Sequence, residues 1–143
     1  MYKFEILTKY LPQLVNDNFG TWIIDHENDG SPEHPIQMPY VDYTQMVDNF
    51  VRDVYAFKND NTEYELNRYG EILNTNGIQW GGSSMSEADV SNLDARCVLA
   101  LIMGAVRAER FCDGALLGFF KDGSIRKWLE RLTEIDGGTY GSI

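Results

Sequence analysis

The sequence is poor in cysteine, in positive charge and in long apolar runs. Two cysteines in 143 residues are too few for a disulfide framework. Twelve Lys and Arg stand against 22 Asp and Glu, a formal net charge of −10. Such a chain repels a phosphate backbone at range, which argues against generic nucleic-acid binding. The longest apolar run, residues 97–106, falls short of the roughly 20 residues a bilayer-spanning helix needs. Residues 1–10 have neither the continuous apolar core nor the cleavage site of a signal peptide. A cytoplasmic protein with no membrane partner is therefore expected. There is no internal repeat and no low-complexity segment. Gly81-Gly82-Ser83-Ser84 lacks the lysine of a phosphate loop, and no Gly-x-Ser-x-Gly elbow is present. No catalytic residue, metal site or cofactor is called from these patterns, and a non-enzymatic role is favoured.

What remains is an ordinary globular composition, 43% hydrophobic and 13% aromatic. The length fits one domain over residues 1–143, with an irregular tail at 137–143. The acidity is uneven. Residues 1–92 hold 15 acids and 5 bases, whereas residues 93–143 hold 7 of each. A solvated, solubilising face is the plainer reading of this excess, and a surface for a basic partner the sharper alternative.

The expected fold is α+β and predominantly α-helical, a short N-terminal β-hairpin packed on a helical bundle with a buried central helix. Phe4, Leu7, Leu11 and Leu14 recur at helical spacing, interrupted by Pro12. Asn16-Asp17-Asn18 is a turn signal. Residues 19–24 read as a strand and residues 36–41 as a weaker one, joined by a polar loop at 25–35. Residues 44–59 form an amphipathic helix with an Asp48–Arg52 pair, and residues 63–74 a shorter helix stopped by Gly77. Ser91 to Asp94 resembles a capping box for a helix over 92–110, apolar around most of its circumference and so buried. Gly114 and Gly118 bracket a short segment at 115–120. Asp122-Gly123 is a turn, and Ser124 caps the last helix at 125–135.

Several residue groups are candidates for function. Asp25-His26-Glu27-Asn28-Asp29-Gly30 begins like a calcium loop, but the closing twelfth position is Ile36 rather than Glu. His26, His34, Glu27 and Glu33 match no standard zinc spacing. Asp25, Glu27, Asp29 and Glu33 are instead candidate partner contacts. Trp80, in a glycine-rich connection, is a fifth. Cys97 and Cys112 lie about 22 Å apart if the helix runs through, too far to bridge, and read as small core residues. Arg96, Arg107 and Arg110 fall within about 60° of one another at about 100° per residue. They are candidate anion-binding residues, with internal pairing to carboxylates as the plainer expectation. Glu109 points to the apolar side, so it needs a partner from another element. Glu109, Asp113, Gly114 and Ser124 are read as structural.

The stretch from Cys97 to Gly114, with its Arg107-x-Glu109-Arg110-Phe111-x-x-Gly114 core, is followed by Asp122-Gly123-Ser124 and the helix to Leu132. Together with Phe19-Gly-Thr-Trp22 and Pro35-Ile-Gln-Met-Pro39 it resembles the bacterial domain-of-unknown-function family 6508. That resemblance implies a small bacterial domain and supplies no activity. The favoured expectation is a protein–protein interaction or regulatory domain, of a kind mobile elements carry, that meets an unidentified protein partner through its acidic surface. The alternative is a small-molecule or nucleotide-binding domain using the three arginines.

Overall fold

The computed structural model describes residues 3–15 and 18–137. The expected turn at Asn16-Asp17 and the tail beyond Gly137 lie outside those residues.

Helix α1 (Glu5–Thr8) gives way at once to a 3-10 turn (Leu11–Val15) holding Pro12. Strands β1 (Gly20–Ile23) and β2 (Tyr40–Tyr43) pair antiparallel with Gly20 opposite Tyr43 and Ile23 opposite Tyr40. Six helices follow: α2 (Gln45–Asp60), α3 (Tyr69–Thr75), α4 (Gly82–Glu87), α5 (Ala95–Ala108), α6 (Ala115–Lys121) and α7 (Ser124–Ile135). The class is the expected one, α+β and predominantly helical. Every residue of α5 from Cys97 to Val106 is buried. Around it α2, α3, α6 and α7 contribute Phe50, Leu73, Leu116, Trp128 and Leu132, each 1% exposed or less. A helix surrounded on all sides has no polar face to show, and this is why its sequence is apolar almost all round. Among the described residues no helix is long and apolar enough to cross a membrane.

Several boundaries differ from expectation, each for a local reason. The second strand is Tyr40–Tyr43 rather than 36–41. Pro39 has no N–H to give a ladder, and the N–H of Gln37 goes to the Asp25 carboxylate at 2.8 Å. The helix expected over 63–74 is broken at Glu65, whose φ is +52°, into two 3-10 turns and α3. Arg96 meets the break, its Nε donating to the Tyr64 carbonyl at 3.1 Å and its Nη2 to Glu65 Oε1 at 3.2 Å. Residues 82–87, expected as connection, form α4. The cap of α5 is Asp94, not Ser91: its carboxylate accepts the Cys97 N–H at 2.9 Å. Ser124 is the first residue of α7 rather than its cap. Asp122 Oδ1 accepts the Ser124 N–H at 2.8 Å, and Gly123 makes the turn at φ +87°. Arg52 meets its neighbour Asp53 at 3.5 Å instead of Asp48.

The thiols separate. Cys97 is fully buried, and burial pushes its pKa up to about 11. Cys112 lies beyond the end of α5 and is exposed, contrary to its reading as a core residue. One thiol should therefore react with a disulfide reagent in the folded protein at pH 8, and the second only after denaturation. Two slow thiols, or none after denaturation without reductant, would contradict this arrangement.

Candidate functional site

Residues 18–43 form an arm on the helical body. Its base is closed by the Thr44 N–H donating to the Phe19 carbonyl at 3.0 Å and by the Phe19 ring against Phe120 at 5.1 Å. The register sets which side faces inward. Gly20, Trp22, Val41 and Tyr43 share the side that meets the body, and Thr21, Ile23, Tyr40 and Asp42 share the other.

Two contacts fix that inner side. The Trp22 ring lies against Gly114, whose φ is +91°; a Cβ there would fall 2.3 Å from Trp22 Cζ2. Glycine is thus needed twice, for the backbone and for the approach. The Tyr43 hydroxyl donates to Glu109 Oε1 at 2.6 Å and accepts the Leu117 N–H at 2.9 Å. Glu109 also accepts from the N–H groups of Gly114 and Leu116 at 3.0–3.1 Å. Its carboxylate thereby ties the arm to the turn between α5 and α6 and satisfies the first N–H groups of α6. Burial, reinforced by the Glu109 hydrogen bond, holds the Tyr43 phenol well above the ordinary tyrosine range.

The tip is organised by one side chain. Asp25 accepts from the N–H groups of Glu27, Asn28 and Gln37 and from the Asn28 amide, at 2.8–3.1 Å. Those bonds, with Gln37 the strongest, hold its carboxyl far below the usual carboxylate range. Asp29 accepts the Ser31 N–H, and the Gly30 N–H reaches the His34 carbonyl. The oxygens of Asp25 are therefore occupied by donors. Among the described residues no group of three His, Cys, Asp or Glu side chains is placed to hold a metal ion. Adding millimolar calcium or zinc should leave the melting temperature unchanged, and a stoichiometric, chelator-sensitive rise would contradict this reading of the loop.

The arm's surface combines two properties. Ile24, Ile36 and Met38 are 52%, 52% and 76% exposed, beside the half-exposed Trp22, Ile23 and Tyr40. The segment carries five acids, Asp25, Glu27, Asp29, Glu33 and Asp42, and no Lys or Arg. Among the described residues none of these five carboxylates has a cation within 4 Å.

The remaining candidates lie elsewhere. Arg96 is held at the Glu65 break and borders a recess of about 240 Å³ with Arg68, Glu71 and Asp94. Arg107 has no carboxylate within 4 Å among the described residues. The Tyr55 and Tyr69 hydroxyls lie beside it, Tyr55 contributing most, and raise its pKa; its Nε is buried without a partner. Arg110 is exposed and borders a different recess, of about 430 Å³, with Asp48, Tyr55 and Glu109. The three share a helix side but no common pocket, and only Arg96 has a carboxylate partner among the described residues. Asp113 is exposed, near enough to Tyr43 to add to the upward shift of its pKa. Trp80 donates its Nε1 hydrogen to the Gly104 carbonyl at 3.0 Å and stands edge-on to Tyr69 and Phe111.

Sequence reasoning names the acids of the arm and Glu109, but misses Tyr43 and the exposed Ile24, Ile36 and Met38. A signal for the last three is present: large apolar residues in a loop rich in Gly, Pro and Asp, with neither helical nor strand periodicity to bury them.

A family model described as a family of unknown function (DUF6508) matches residues 3–137. No curated protein and no solved structure matches the chain.

Proposed function

Because the chain belongs to the DUF6508 family, whose function is unknown, membership brings no activity with it, and we propose from the chain's own surface that it is a non-enzymatic protein-interaction module whose contact element is the arm at 18–43. One observation carries this reading: the arm exposes a group of large apolar side chains among five carboxylates and not one cation. A contact core of this kind suits a partner face that is apolar at its centre and basic around it. The Asp25 bonds and the Tyr43–Glu109 tie hold the arm in shape beforehand, which lowers the ordering cost of association.

The test is affinity capture from cells of the source organism, run in parallel with the wild type and an Ile36→Glu/Met38→Glu variant. Both side chains are more than half exposed, so the fold tolerates the changes. A basic protein retained by the wild type, released by salt and absent from the variant is expected. Equal retention by both would remove the arm from the account.

A second reading rests on Arg107 and Arg110, which lack carboxylate partners among the described residues. Under it, inorganic phosphate or a nucleotide would raise the wild-type melting temperature, and Arg107→Ala would abolish the rise without lowering stability. Under the interaction reading neither anion shifts it.

A further inference from the structure

Beside the Gly114 turn, α4, the residues after α5 and α6 line an open recess of about 650 Å³, within the size range of small-molecule sites. We propose that this recess binds a small apolar organic cation, an alkyl- or arylammonium compound. The walls are aromatic: Trp80 and Phe111 meet edge to face with centroids 5.7 Å apart, and Phe119 adds a third ring. Ala108, Ala115 and Gly118 add small residues to the lining. Two carboxylates border it, Glu87 and Asp122, and among the described residues no Lys, Arg or His lines it.

The directions of the polar groups select the sign of the ligand. The Trp80 N–H is consumed by the Gly104 carbonyl, so the indole offers its ring and not its donor. Asp122 is fixed by the Ser86 hydroxyl and the Ser124 N–H. Glu87 has no hydrogen bond or ion pair among the described residues. Aromatic rings beside an unengaged carboxylate attract an ammonium group through the ring quadrupole and the charge together. A carboxylate or phosphate ligand would meet like charge at Glu87 and Asp122, and the nearby Lys127 ammonium is taken up by the carbonyls of Ser86 and Ala88 at 2.7 and 3.1 Å.

Gly118 gives a way to close the site. It is helical, and a Cβ there would meet nothing within 4 Å, so a larger side chain enters the cavity without a backbone clash. The experiment is calorimetric titration with 2-naphthylethylammonium, compared with 2-naphthylethanol and 2-naphthylacetate. The cation should bind about five- to tenfold more tightly than the alcohol, and the acetate should give no measurable binding. Glu87→Gln should remove most of the difference between cation and alcohol. Gly118→Leu should abolish binding while keeping the melting temperature. Saturating cation should also slow alkylation of Cys112, which lines the cavity. No heat at millimolar cation, an alcohol or acetate that binds as well, or binding that survives Gly118→Leu would overturn the proposal. The Ile36→Glu/Met38→Glu variant should bind the cation like the wild type, which keeps this result separate from that of the arm.

Discussion

Gly114→Ala should destabilise the protein by about 2–4 kcal/mol and loosen the arm from the body. Two costs combine. A residue with a Cβ is strained at φ +91°, and that Cβ would sit 2.3 Å from Trp22 Cζ2, so the indole must leave its seat. The Gly114 N–H also loses its geometry toward Glu109. Urea unfolding measures the cost, and the environment of Trp22 reports the release. A loss below about 1 kcal/mol would show that the turn relaxes freely and that the Trp22 contact is incidental. Gly118→Ala is the control, four residues along in the same segment. Its φ is helical and its surroundings are open, so it should gain about 0.5–1 kcal/mol from helix propensity.

Glu109→Ala should cost a similar amount, about 3–4 kcal/mol, because it strands three donors at once. The Tyr43 hydroxyl and the N–H groups of Gly114 and Leu116 all aim at this one carboxylate. Glu109→Gln keeps an acceptor oxygen and should lose about half as much. Tyr43→Phe, measured alone and with Glu109→Gln, should show coupling of about 1 kcal/mol or more between the two residues. Additive losses would mean that arm and turn are held independently. The pH dependence has a definite sign. The folded Tyr43 pKa lies above its unfolded value, so its contribution is full below about pH 10 and falls as pH rises further. Raising the pH above about 10 should therefore weaken the arm's tie to the body, and Tyr43→Phe should remove that part of the alkaline loss, leaving the part due to Tyr10, whose pKa burial and Asp53 raise to about 12.

The helical framework was legible because its signals are local. The unbroken apolar run from Cys97 to Val106 announces a buried helix, and the spacing of Ile125, Trp128, Leu129 and Leu132 announces an amphipathic one. Structure and sequence pattern part where a distant group decides a local conformation. Residues 63–74 carry helical spacing, yet the Arg96 side chain, about thirty positions away, takes the Tyr64 carbonyl and the chain turns left-handed at Glu65. The second strand moved toward Tyr43 because Asp25, twelve positions earlier, claims the Gln37 N–H. Much the same holds for the site. A Glu109 side chain on the apolar side at the end of α5 demands a partner, which sequence alone shows, but that the partner is Tyr43 follows only from the packed hairpin. The pairing expected for Arg107 did not form. Tyr55 and Tyr69 lie beside it from α2 and α3, where a carboxylate was expected.

The central claim is that the arm at 18–43 is the surface a partner covers. Hydrogen–deuterium exchange on the captured complex, compared with the free protein, tests it most directly. The account predicts added protection in peptides covering residues 20–43, including the outward side of Ile23 and Tyr40, with α3 and the Trp80 cavity unchanged. Protection confined to peptides bearing Tyr55, Tyr69 and Arg107, with the arm exchanging as in the free protein, would contradict it and move the functional surface to the arginine side of α5.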